Sequence, residues 1–393
     1  MKKQTNAFVN LILISVILFV IIKSFDIFYF DNSFIVQEEE PIISKSIPVK
    51  YTFYYEQLNP TEKQIYEAML CASQNYEQKF YIGRNLKDHD INKTICAFFN
   101  DYPEFYWTNS VVVKIVGDKF YLEYEIEPNT KETVEKIKME SQKIVDSIPQ
   151  NYSEYDKALY LYEYIINNTA YEENSEDNQD LRSVILYKKS VCGGYARTYQ
   201  YLCNLAGIKC TTVNGSITDS ETGETSNHAW NLVNLNNKYY WVDSTWGDSY
   251  EKNEDAKDLI NYNFFLCDDS FLEGHEISDL FNYTGAKNTH FFIYPECNDN
   301  SLNYYIYKGY YIDNYDFEYI KEYFDKFLSE DVYQQIPIKC ANKEIYDHII
   351  EDLFENKNIW KIVSGYNFNS ETLYYTYSKD EKNLIIYVQF SPE

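Results

Sequence analysis

No two of the chain's eight cysteines stand in a C-x-x-C spacing, which argues against a zinc ribbon or a thioredoxin-type redox pair. Cys71, Cys96, Cys192, Cys203, Cys210, Cys267, Cys297 and Cys340 are spaced widely and irregularly, as scattered core cysteines are and a disulfide staple set is not. Glycine (12) and proline (9) are too few for a low-complexity chain. Basic residues are scarce: 35 Lys and Arg against 61 Asp and Glu give a formal net charge of −26, with no basic patch to offset it. Nucleic acid and anionic surface polymers are repelled by such a chain, so neutral or cationic partners fit better. No repeat of 20–50 residues is present. The acidic run EENSEDNQD (172–180) does not match a calcium loop and reads as a solvated loop. His89, His275, His290 and His348 show no metal-binding spacing, so neither a metal nor a cofactor is expected.

What is present is a large supply of core. Hydrophobic residues make up 45% of 393 residues, with 42 Tyr and 24 Phe, enough for two or three domains. The N-terminus carries Lys2 and Lys3, then a run from Ala7 to Ile22 that is apolar except for Asn10 and Ser15, closed by Lys23. Its length falls between a signal-peptide core and a comfortable span. No A-x-A-like cleavage site follows, so residues 1–30 read as a cytoplasmic stub and a single uncleaved signal anchor, with Phe25–Phe30 at the interface. A cleaved signal peptide is the alternative. Either way the body lies outside the cytoplasm. Residues 31–50, with two prolines, read as a linker.

Asn59-Pro60-Thr61-Glu62 opens a helical run with a cap-like start, and Val111–Val116 and Phe120–Ile126 flank Gly117-Asp118-Lys119 as a hairpin. Residues 51–128 are thus an α+β unit. Helices are expected over 130–147 and 153–168. In 316–393, helices over Phe317–Leu328 and Lys343–Phe354 and a C-terminal hairpin make another α+β unit without visible chemistry. Tyr304–Ile312 reads as strand–turn–strand.

The chemistry concentrates in 190–248. After Cys192, apolar residues recur every three or four positions to Ala206, and Gly207 follows as a helix-ending residue. Cys192 therefore sits at a helix start, where unpaired N–H groups and the macrodipole favour an anionic sulfur. Gly193 and Gly194 leave room for a substrate backbone, and the N–H groups there can serve an oxyanion. Ile208–Ile217, His228–Leu235 and Lys238–Thr245 read as strands. Asn236-Asn237 between the last two suits a type I′ turn. That two-residue turn pairs Leu235 with Lys238, so Trp230 opposes Asp243, His228 opposes Thr245, and His228 and Asp243 share a face as diagonal neighbours ~7–8 Å apart. A three-residue loop would put Asp243 on the other face. An imidazole and carboxylate so placed can hydrogen-bond, with the ring taking the proton of a thiol.

The stretches VCGGYARTYQ, NHAWNLV and KYYWVDSTWGDS resemble the transglutaminase-like superfamily, whose fold is related to papain-like cysteine proteases. The resemblance runs over about 51–315 and includes NYNFFLCDDSFLEGH (261–275) and the stretch at Asp101–Phe105. It implies an α+β core in which a helix carrying Cys packs on an antiparallel sheet, here within 129–315; the α+β extensions on both sides and the N-terminal transmembrane helix are expected from the patterning above. It also implies that Cys192 is the nucleophile, His228 the base and Asp243 the orienting acid, acting on a protein or peptide substrate through a thioester. Water or an amine would resolve it. Gln179 is a candidate oxyanion donor by analogy with papain-like enzymes, a solvated loop being the other reading. Trp230 and Trp241 are expected to pack around the triad. A surface binding or scaffolding protein that keeps the fold without turnover is the alternative function. The sequence leaves the oligomeric state open.

Overall fold

Helix α1 (Pro60–Asn75) begins where Asn59 accepts the N–H groups of Thr61 and Glu62 and Glu62 reaches back to the Asn59 N–H at 2.7 Å. Pro60 in its first turn has no N–H to leave unpaired. Ile65, Tyr66, Met69 and Leu70 fall on one face and are buried, and α1 packs on α2 (Asp88–Asp101). Beside them lies a sheet of β1 (Ile27–Asp31), β2 (Lys79–Arg84), β3 (Val111–Val116) and β4 (Lys119–Tyr124) in the order β1-β3-β4-β2. The expected hairpin closes with Val116 opposite Lys119, and Gly117 takes the left-handed φ of +62° that the turn requires. The pair β2 and α2 carried no signal that the sequence reading used.

The computed structural model describes residues 27–31, 53–218, 223–248, 260–278, 291–329, 333, 335–364, 366 and 373–392. The apolar run Ala7–Ile22 and nearly all of the linker lie outside them. Residues 27–31, read as the end of the anchor and the start of the linker, instead pair in parallel with β3. Among the described residues no helix is long and apolar enough to cross a membrane.

The chain divides into two units, Met1–Asp299 and Asn300–Glu393. The part before 129 therefore belongs with the central region instead of standing apart, and buried hydrogen bonds show why. Gln200 donates to the Asn100 carbonyl, Asn214 donates to the Asn100 side chain at 2.9 Å, and the Tyr54 hydroxyl donates to the Thr212 carbonyl at 2.6 Å. Asp101, at the end of α2, accepts the N–H groups of Tyr54 and Tyr55 and the Tyr66 hydroxyl. Burial pushes its carboxyl up to about 7 against the pull of those three bonds.

The central region opens with α3 (Thr130–Asp146) and α4 (Glu154–Asn168), the latter capped reciprocally by Ser153 and Asp156. Two short parallel strands, β5 (Ala170–Tyr171) and β6 (Lys189–Ser190), lead to α5 (Cys192–Leu205). At the far end of α5, Gly207 takes φ +87° and the Ile208 N–H returns to the Cys203 carbonyl at 2.8 Å, which stops the helix. Helix α5 lies against an antiparallel sheet of β7 (Lys209–Thr218), β8 (Thr225–Leu235), β9 (Lys238–Val242) and β10 (His275–Ile277), ordered β10-β7-β8-β9. Leu235 pairs with Lys238, with Asn236 and Asn237 both at positive φ, so the two-residue turn sets the register. This is the mixed α+β arrangement expected, a helix carrying Cys packed on an antiparallel sheet.

The second unit begins at Asn300, before the boundary expected at 315/316, because β11 (Tyr311–Ile312) pairs with β12 (Ile336–Cys340). Tyr304–Tyr307 is a short helix rather than a strand, capped by the Asn303 side chain. Helix α7 (Phe317–Leu328) starts at an Asp316 cap. The C-terminal hairpin pairs β13 (Leu373–Asp380) with β14 (Ile385–Pro392). The sheet order β11-β12-β14-β13 includes β12, which the sequence reading missed.

Candidate active site

Cys192 is the first residue of α5 and is partly exposed. The carbonyl of Val191 before it accepts from Gly194 and Tyr195, which starts the helical ladder and leaves the earliest N–H groups outside it. The two glycines serve packing more than substrate access. A Cβ on Gly193 would lie 2.1 Å from Gln179 Oε1, and one on Gly194 would lie 2.1 Å from Ser190 Oγ. The space over Gly193 is thus filled by the Gln179 side chain, and the Gln179 backbone carbonyl accepts from the buried Arg197 at 2.7 Å. Gln179 therefore does not sit in a solvated loop. The acidic run is pinned at its end, where Asp180 is buried and pairs with Arg182.

His228 lies on β8, buried to 4% exposure, and its Nε2 is 2.6 Å from Asp243 Oδ2. Asp243 is fully buried. Its second oxygen, Oδ1, accepts the N–H groups of Thr245 (2.9 Å) and Trp246 (3.0 Å). The third strand therefore stops at Val242, not at 245. Asp243 leaves the sheet to cap the short helix α6 (Ser244–Gly247). Thr245 is not opposite His228, but the dyad forms on the expected face because Asp243 keeps one oxygen for the cap and turns the other to the ring.

Burial by itself would pull the His228 proton affinity down. The Asp243 charge and hydrogen bond, with a hydrogen bond and charge from Cys192, outweigh it and raise the ring to about 10. A ring in that field gives a stable seat to a second proton. With Nε2 committed to Asp243, Nδ1 is the nitrogen available to the thiol.

Trp230 and Trp246 flank the ring, with centroids 5.9 Å and 5.6 Å from His228. Trp241 turns elsewhere, giving its N–H to Asp269 and packing on Phe271. The residue that spacing missed is His275. It belongs to β10, and its centroid stands 6.0 Å from His228 and 4.6 Å from Trp246. Burial holds its proton affinity down, to about 4. It closes the segment NYNFFLCDDSFLEGH, whose resemblance was visible without assigning its histidine a part. All eight cysteines are free.

Residues 142–244 match the model of the Transglutaminase-like superfamily. Kyphoscoliosis peptidases of Mus musculus and Homo sapiens are each 27% identical over 147 residues, 34% of this chain and 22% of theirs. The chain thus spans about a fifth of the length of those relatives. A crystal structure of a TGase aligns over 37% of this chain and 46% of its own at 18% identity, with a TM-score of 0.26.

Proposed function

We propose that this chain is a thiol enzyme of the transglutaminase-like superfamily, acting on peptide or glutamine carboxamide bonds of protein substrates, a reading that the family-model match over residues 142–244 supports. The reading is carried by one observation: the His228 ring is held on Asp243 at 2.6 Å, and Cys192, at the start of α5, lies near enough to that ring to raise its proton affinity. Cys192 gives its thiol proton to His228 and its sulfur attacks the carbonyl carbon. The C–N bond breaks, His228 returns the proton to the leaving amine, and a thioester remains. Water resolves it in hydrolysis, an amine in acyl transfer. Asp243 holds the ring's tautomer and orientation. The N–H groups at the start of α5 serve the developing oxyanion, and Gln179, whose side-chain Oε1 lies over Gly193, is seated beside them.

A thiol-reactive probe that labels the wild type at pH 7 and not Cys192→Ala supports the reading. No labelling, or labelling that survives the substitution, leaves a binding or scaffolding protein in its place. An amine donor offered with a glutamine-containing protein then separates crosslinking from hydrolysis. The apolar run Ala7–Ile22 behind Lys2 and Lys3 supports a further part of the proposal, a single-pass anchor with the catalytic unit outside the cytoplasm. Release of the protein from membranes by alkaline carbonate would overturn it.

A further inference from the structure

The His275 ring is boxed by Phe271 at 4.3 Å, Trp246 at 4.6 Å and Trp230 at 5.0 Å between centroids. Neither of its nitrogens reaches hydrogen-bond geometry with any group, although backbone groups of Glu273 and Phe271 lie near enough to favour a proton there weakly. Buried polar atoms are nearly always paired, so a ring with both nitrogens unpaired calls for an explanation. One ligand atom each from His275, His228 and Asp243 lies within 4.8 Å of the other two. Two imidazoles and a carboxylate are a donor set for Zn2+ and its transition-row neighbours. Ca2+ and Mg2+ call for oxygen instead.

We propose that His228, Asp243 and His275 form a site for a borderline divalent cation, Zn2+ being the test case, and that its occupancy breaks the His228–Asp243 hydrogen bond, shifts the ring that Cys192 faces and so slows the thiol. The inference rests on reading His228 and Asp243 as the partners of that thiol. Asp243 Oδ1 is fixed by Thr245 and Trp246, so Oδ2 stays presented. The cation takes the place of the proton between Nε2 and Oδ2, and that proton leaves to solvent. Ligand bonds of about 2.0–2.2 Å ask the 2.6 Å contact to open by less than about 1 Å. The net charge of −26 draws cations toward the protein.

The test titrates chelator-stripped full chain with Zn2+ by calorimetry in wild type, Cys192→Ala, His275→Gln and His275→Phe. Wild type and Cys192→Ala are expected to bind one Zn2+ with matching affinity. Both His275 variants are expected to bind it more weakly by at least the ~10-fold that loss of a merely orienting neighbour costs a metal site. Zn2+ should slow iodoacetamide labelling of Cys192 in the wild type and not in the His275 variants. X-ray absorption of the wild-type complex, which needs no variant to fold, should show nitrogen and oxygen ligands. Sulfur ligation, loss of binding in Cys192→Ala, or unchanged affinity in a folded His275 variant overturns the proposal. Zn2+ binding in Cys192→Ala is read without turnover, so failure of the enzymatic reading and failure of this one are told apart.

Discussion

The two units of the chain bury different things. Among the described residues, every buried polar or charged side chain belongs to the first unit, from Glu62 to Asn261, and includes Asn100, Asp101, Gln200, Asn214, His228 and Asp243. The second unit buries Phe324, Ile338, Leu353, Val388, Phe390 and their neighbours, with tyrosine and cysteine as its most polar members. Burying an unpaired polar group costs several kcal/mol at most and about 1–3 in measured cases, so it persists where partners are supplied. In the first unit the partners tie the N-terminal elements to α5 and hold the dyad. Polar burial thus separates the unit that holds the His228–Asp243 pair from the one whose described core is apolar.

The sharpest break of that contrast is at the dyad. Cys192→Ala should abolish turnover, and Asp243→Asn should lower kcat by about 10⁴-fold, since Asn no longer holds the ring as a carboxylate does. Asn still caps α6, so the thermal midpoint of Asp243→Asn should stay close to wild type, whereas Asp243→Ala should lower it. A parallel fall of activity and midpoint in Asp243→Asn would make the residue structural. In the second unit, Leu353→Ala should cost that unit about 2–5 kcal/mol in denaturant unfolding and leave kcat unchanged below the transition. A kcat that follows the loss would end the separation of roles.

Gly194→Ala lies between the two cases. Its Cβ would meet Ser190 Oγ at 2.1 Å, Ser183 Oγ at 2.4 Å and the Asn178 carbonyl at 2.9 Å, so about 1–3 kcal/mol of overpacking is expected together with displacement of Cys192. Unaltered thiol-labelling kinetics in this variant would show that the start of α5 tolerates the shift. The smallest effect concerns Asp101. Its folded carboxyl is raised to about 7 from an ordinary 3.8, so the folded state holds the proton more tightly than the unfolded one. The stability this group contributes is present in full below pH 4 and is lost as pH rises through 7. Unfolding followed from pH 4 to 8 should show a shallower decline in Asp101→Asn than in wild type, and equal slopes would refute the shift.

Much of this was legible before any coordinates, where the signal was local. The Asn59 cap, the glycine after α5 and the Asn236-Asn237 turn act through sterics and hydrogen bonds within a few residues. The last of these set the β8–β9 register and hence the shared face of His228 and Asp243. Strand β12 was missed because a five-residue alternating run, Ile336–Cys340, is short enough to pass for a loop. Helix α2 was passed over because its acidic opening hid its buried face.

Tertiary structure alone decided the rest, through contacts between residues far apart in the chain. It stopped the third strand at Asp243, because the carboxylate was needed by Thr245 and Trp246 as well as by the ring. It filled the space above Gly193 with Gln179, joined the N-terminal elements to α5 through Asn100, and brought His275 beside the dyad. The sequence by itself determined the face on which His228 and Asp243 meet, because strand parity and turn geometry are local. Which other side chains surround them depended on the folding together of α5, the central sheet and the segment that ends at β10.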